Sequence, residues 1–136
     1  MKILNELCAL ALKARENSYS PYSGIKVGAA LLVDSGKIYT GCNIENAAFS
    51  PTVCAERVAF FKAISAGEKN FSAIAIAGGA GNNPEGDFPP CGVCRQVMAE
   101  FCDQDFKIYL VKSETEYTLL SLGKILPYGF GKGNIK

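Results

Sequence analysis

The sequence predicts an α/β fold, a layered α/β/α sandwich around a mixed five-stranded sheet. Three observations carry that reading. Short apolar runs alternate along the chain with segments of helical periodicity, the pattern of a sheet covered by helices. Asp34-Ser35-Gly36 supplies turn chemistry between two apolar runs and makes them a hairpin. The last two runs are joined by only five residues, Lys112 to Glu116, whereas a crossover between parallel strands needs a dozen or more, so the final strand must run antiparallel to its predecessor.

Taken in order, Leu4, Leu7, Cys8, Ala11 and Leu12 recur at helical spacing and predict a first helix over Lys2 to Arg15, broken at Tyr19-Ser20-Pro21-Tyr22. Lys26 to Val33 reads as a strand and Lys37 to Ile44 as its hairpin partner. A second helix is expected from Thr52 to Ala66, ending before Gly67, the residue type favoured just past a helix C-terminus. Phe71 to Ala77 reads as a buried strand. Gly78 to Pro89, rich in Gly, Asn and Pro, is expected to be a loop that delivers the chain to Pro90-Cys91. A third helix then runs to Cys102, followed by strands at Phe106 to Val111 and Tyr117 to Leu120. No internal repeat or linker divides the chain, and residues 1–136 read as one catalytic domain.

Composition narrows the partners. Fourteen basic residues balance 13 acidic ones with no basic run, which argues against long nucleic acid as a substrate. No stretch is long and apolar enough for a membrane helix. The amino terminus breaks its apolar character at Asn5 and Glu6, so it offers no signal-peptide core and the reading is cytoplasmic.

Six cysteines and no histidine set the chemistry. An even count invites a disulfide framework, but the cytoplasmic reading opposes it, and a chain with 49% hydrophobic residues can bury a core without staples. A redox CxxC would leave Cys54 and Glu56 unexplained. A zinc site accounts for all of them: Cys54, Cys91 and Cys94 hold the ion, leave a fourth position open, and Glu56 moves protons. On the predicted scaffold Cys54 falls in the first turn of the second helix and Cys91 and Cys94 start the third, where helix N-termini favour thiolates. Cys102 lies roughly 16 Å along the third helix from Cys91, too far to share the metal. Cys8 and Cys42 read as small buried hydrophobes.

Zinc on three thiolates carries net negative charge, which weakens it as a Lewis acid. Arg57 is the candidate to offset that charge through hydrogen bonds to sulfur, with an ordinary surface arginine as the alternative. Asn43 and Glu45, two apart on an extended segment, point to one side and could grip hydroxyl groups; a polar strand end is the alternative.

Cys54-Ala55-Glu56 followed by Pro90-Cys91-Gly92-Val93-Cys94-Arg95-Gln96 resembles the zinc-dependent cytidine deaminases, specifically the small homotetrameric type with three cysteine ligands. Pro21-Tyr22-Ser23, Val27 to Leu31, Gly41 to Ala47, and Ile125-Leu126-Pro127 with Phe130 extend the resemblance over nearly the whole chain. It implies one Zn2+ per subunit on Cys54, Cys91 and Cys94, Glu56 as proton shuttle, and hydrolysis of cytidine and deoxycytidine to uridine and deoxyuridine with release of ammonia, in pyrimidine salvage. It also implies substrate contacts from Asn43, Glu45, Ala55, Ile25 and Phe130, the last reaching into a neighbouring subunit's site of a homotetramer. Ile25 stands where the family commonly has an aromatic residue, and the Gly78 to Pro89 loop is longer than usual. The alternatives are a related deaminase acting on blasticidin S, a nucleotide or transfer RNA, and an inactive zinc-stabilised binding module with four ligands.

Overall fold

The computed structural model describes residues 2–135. Helix α1 spans Lys2–Ala14, strands β1 and β2 are Ile25–Val33 and Ile38–Cys42, and helix α2 is Ala55–Ser65. Strand β3, Phe71–Ala80, precedes helix α3, Gly92–Phe101, and strands β4 and β5 are Lys107–Val111 and Tyr117–Ser121. A single-turn helix α4, Leu122–Ile125, follows. The sheet order is β2-β1-β3-β4-β5, with β3 and β4 parallel and every other neighbouring pair antiparallel. The short connection after β4 therefore behaves as its length demands: Lys107 pairs with Ser121 and Val111 with Tyr117.

The period-2 alternation of the strands builds a core on each side of the sheet. Val27, Ala29 and Leu31 of β1, Ile74 and Ile76 of β3, and Ile108 and Leu110 of β4 face α2 and α3, where they meet Phe60, Ala63 and Met98. Ala30, Ala73, Ala75, Ala77, Tyr109 and Val111 face α1 and its Leu7, Cys8 and Ala11. Two glycines let the helices press close. A Cβ on Gly28 would stand 2.1 Å from the Ala11 carbonyl oxygen, and one on Gly41 would stand 2.5 Å from that of Ala55. Gly67, with φ of 97°, closes α2: its N–H donates to the Ile64 carbonyl and the Glu68 N–H to that of Ala63, both at 3.0 Å.

Several boundaries differ from the sequence expectation, each for a local reason. β2 stops at Cys42 instead of Ile44, because Ile44 pairs with Tyr19 and Val53 outside the sheet. That same bridge keeps Val53 extended, so α2 begins at Ala55 instead of Thr52. β3 continues past Ala77 to Ala80, since Gly78 and Gly79 still pair with Val27 and Lys26; the glycines that suggested a loop lie inside a strand. α3 begins at Gly92, because Cys91, which follows Pro89-Pro90, keeps an extended backbone. Among the described residues, no helix is long and apolar enough to cross a membrane.

Candidate active site

The three cysteines meet where two helices begin. Cys54 immediately precedes α2 and Cys91 immediately precedes α3, both with extended backbone, while Cys94 lies in the first turn of α3. The sequence placed Cys54 and Cys91 inside their helices; one residue outside, their carbonyls accept the first helical N–H groups, from Val58 at 3.2 Å and Arg95 at 3.0 Å. Each thiol then stands over a helix N-terminus, whose partial positive charge favours the thiolate.

The Sγ atoms of Cys54 and Cys94 are each 3.6 Å from that of Cys91, and all three lie within 4.8 Å of one another. Tetrahedral zinc with Zn–S bonds of about 2.3 Å sets its sulfurs about 3.8 Å apart, so the donor set fits zinc in type and spacing. Cys8, Cys42 and Cys102 stand outside this group: Cys8 is buried in the α1 face of the core, and Cys42 and Cys102 are half-buried. Hydrogen bonding from Cys94 holds the Cys54 thiol down at about 5 against the cost of burial, aided by Arg57 and Cys91, whereas Cys94 is pushed up by the same partnership and by burial.

Arg57 Nη2 donates to Cys54 Sγ at 3.4 Å, which places its charge on the cluster and not in solvent. Glu56 is only 3% exposed, and its Oε1 has no hydrogen-bond partner among the described residues. A buried carboxylate oxygen without a partner is costly. Burial raises its pKa to about 7, with the Cys54 charge adding to the rise and backbone hydrogen bonding and Arg57 opposing it.

A cavity of about 310 Å3 connects these groups to the rest of the predicted site. Cys54, Cys91 and Glu56 line it together with Asn43, Glu45 and Ile25, and Val27, Phe88 and Pro89 complete its apolar walls. Asn43 is held firmly: its Oδ1 accepts from the Val27 N–H at 2.9 Å and from Ser18 Oγ, and its Nδ2 donates to the Ile25 carbonyl at 2.8 Å. One amide hydrogen is left over. Glu45 takes the N–H groups of Tyr22 and Ser23 at 2.9 and 3.1 Å on Oε1 and the Ser23 hydroxyl on Oε2. The Ser23 hydroxyl draws the carboxyl pKa below its ordinary value against the cost of desolvation, with the two backbone N–H groups assisting, so it is ionised at neutral pH.

Two of the residues expected to contact substrate, Ala55 and Phe130, are not among those lining this cavity of their own chain. The Ala55 side chain is fully buried in the core and does not line the cavity. Phe130 is 59% exposed, its carbonyl accepts from Gln96 Nε2 at 2.7 Å, and it lines a separate hollow with Leu122, Leu126 and Cys102. Ser18, Ser23 and Phe88 were not singled out from the sequence. Ser23 lay within a stretch already marked by resemblance, and Phe88 is the one large apolar residue in an otherwise polar loop.

Comparison with known proteins agrees with this geometry. The profile of the cytidine and deoxycytidylate deaminase zinc-binding region matches residues 1–110. A cytidine deaminase of Sporosarcina psychrophila is 47% identical over 132 residues, covering 97% of this chain and 94% of that one. One from Halalkalibacterium halodurans is 45% identical over 120 residues, 88% of each chain. Among solved structures, the cytidine deaminase of Burkholderia pseudomallei superposes with a TM-score of 0.83 at 42% identity, covering 92% of this chain and 97% of that one. That of Mycobacterium tuberculosis gives 0.77 at 36%, covering 93% and 96%. With the family model matching residues 1–110 and near-full-length relatives at 42–47% identity, the chain belongs to the zinc-binding cytidine and deoxycytidylate deaminase family.

Proposed function

We propose that this protein deaminates cytidine and deoxycytidine hydrolytically, as a homotetramer of single-domain subunits working in cytoplasmic pyrimidine salvage. The observation that carries the reading is the unpartnered Oε1 of buried Glu56, lining one cavity with Cys54 and Cys91 of the three-thiol cluster. When held by Cys54, Cys91 and Cys94, zinc supplies Lewis acidity that makes a water nucleophilic near neutral pH. Glu56 takes a proton from that water at Oε1 and delivers it to N3 of the cytosine ring, which leaves C4 open to attack. It then carries the water's second proton to the amino group, and ammonia departs. A carboxyl with a pKa of about 7 accepts and releases protons with comparable ease at neutral pH, which suits a shuttle.

Asn43 and Glu45 hold the sugar. The free amide hydrogen of Asn43 and the ionised carboxylate of Glu45 suit hydroxyl groups, and the negative charge of Glu45 disfavours a phosphate placed beside them. The substrate is accordingly a nucleoside and not a nucleotide or a nucleic acid. Ala55, with its side chain in the core, contacts the base only through its backbone. Phe130 lies outside the cavity of its own chain, which fits an aromatic donated to a neighbouring subunit.

The test is ammonia release from cytidine with zinc measured on the same sample. Wild-type protein should hold one zinc per chain and turn cytidine over, and Cys91→Ala should lose metal and activity together. Full activity in a verified zinc-free preparation would refute the reading.

A further inference from the structure

The cavity that holds Cys54, Cys91 and Glu56 has a single aromatic lining residue among those described, Phe88. Its position is set by the way its loop is folded back on β3. The Glu85 N–H donates to the Gly78 carbonyl at 2.7 Å and folds the loop back on the end of β3. Arg15, buried beneath, donates to the carbonyls of Gly79 at 2.6 Å and Gly81 at 2.8 Å and fixes the loop's start. Asp87 adopts φ of 57°, a left-handed turn that acidic residues tolerate, and Phe88 follows it directly. The ring then lies on bare backbone: a Cβ at Gly78 would stand 2.3 Å from Phe88 Cδ2 and 2.6 Å from Cγ. Pro89 and Pro90, with fixed φ, complete the path to Cys91.

We propose that Phe88 is the aromatic wall on which the pyrimidine ring packs, and that Gly78 lacks a side chain in order to seat it. The inference rests on the proposed nucleoside reaction and assigns a specificity-determining residue within it. Phe88 lines the same cavity as Cys54, Glu56 and Cys91, three positions before Cys91 in sequence, so a base presented to these groups has the ring within its pocket. Asn43 and Glu45, whose polar groups suit the sugar, line the same cavity. Ile25 offers only an aliphatic surface, exposed to 37% and tied through its carbonyl to Asn43. Among the described residues of a single chain, a planar heteroaromatic ring finds a π-face in this cavity at Phe88 alone, with the neighbour's Phe130 as the second aromatic of the proposed assembly.

Stacking of a base on an aromatic side chain has an effect of roughly tenfold or more on affinity. Phe88→Ala should therefore raise KM for cytidine and Kd for uridine, measured by calorimetry, by about tenfold, while kcat changes less than about threefold and zinc content not at all. Phe88→Leu, which keeps apolar bulk in the loop, should lose several-fold, and Phe88→Tyr should restore near wild-type affinity. Gly78→Ala, whose methyl would displace the ring, should weaken uridine binding in the same direction. In a Phe88→Ala background Gly78→Ala should add nothing, because the obstructed ring is gone. Unchanged KM and Kd in Phe88→Ala and Phe88→Leu, with wild-type protein active on cytidine, would overturn this inference alone. So would full additivity of the Gly78 and Phe88 substitutions. Wild-type protein that fails to deaminate cytidine would overturn the proposed function and this inference with it.

Discussion

The guanidinium of Arg57 donates from Nη2 to Sγ of Cys54 at 3.4 Å, so a cation sits on the thiol cluster from the first turn of the helix that also carries Glu56. Arg57→Ala removes that charge and leaves the cluster more negative. Two effects then act in one direction. A more negative site makes the attacking water harder to deprotonate, and it raises the pKa of Glu56, which Arg57 otherwise lowers. The acid limb of the kcat–pH profile should move to higher pH, with kcat at pH 7 down by about tenfold or more, the scale of a lost hydrogen bond to a charged group. A shifted profile with zinc retained separates this role from simple loss of metal; an unmoved profile would make Arg57 a packing residue.

Glu56→Gln keeps the shape of the side chain and removes the proton it carries. General acid–base catalysis contributes about 10²- to 10⁴-fold, and this reaction needs several transfers by one group, so turnover should fall by the upper end of that range or beyond. Zinc content should stay at the wild-type level. Retention of a tenth of the activity, as an order-of-magnitude criterion, would assign the shuttle to another residue.

The backbone has its own point of sensitivity at Gly28, where α1 approaches β1 too closely for a side chain. Gly28→Ala should force the Ala11–Arg15 turn away from the sheet and open the α1 face of the core. Overpacking of this kind costs about 1 to 3 kcal/mol, and with backbone on the other side of the clash the loss should reach at least the upper part of that range. A urea denaturation midpoint is the measurement, with an unchanged slope marking a loss of stability and not of compactness. The same change at Gly36, which has open space around its Cβ position and a φ of 98°, should act through backbone strain alone.

What the sequence made legible follows from where its signals are local. The antiparallel last strand came from a five-residue connection that no crossover can span, and the meeting of Cys54, Cys91 and Cys94 in one group came from thiol spacing in a chain with no histidine. The two errors in placing Cys54 and Cys91 arose at helix starts, where the bridge between Ile44 and Val53 and the pair Pro89-Pro90 decide the boundary through non-local and backbone constraints. Phe88 escaped attention because its meaning depends on Gly78, ten positions earlier, read as loop but paired in the sheet. The partners of Asn43 and Glu45 were hidden similarly: Ser18, Tyr22 and Ser23 reach them only after the chain has crossed the sheet.

Phe130 gives the test of assembly. Its ring is largely exposed, its carbonyl is tied to Gln96, and it lies outside the cavity formed by Glu56 and the cysteines of its own chain. If the homotetramer forms with each cavity completed by a neighbour, Phe130→Ala should weaken cytidine binding by about tenfold or more, as the loss of an aromatic contact to a base predicts, with zinc content unchanged. The location of the contact follows from mixing Phe130→Ala chains with Glu56→Gln chains and allowing subunits to exchange. Neither parent combines turnover with tight binding. In a shared arrangement, some mixed assemblies pair an intact Glu56 with a neighbour's intact Phe130, and a fraction of sites regains the wild-type KM. Were Phe130 to act within its own chain, every active site would still carry the alanine and no such fraction would appear. Exchange is verified independently by mass-tagging one parent, so persistent weak binding in proven hybrids, or a monomeric active species in sedimentation, would rule out the shared site.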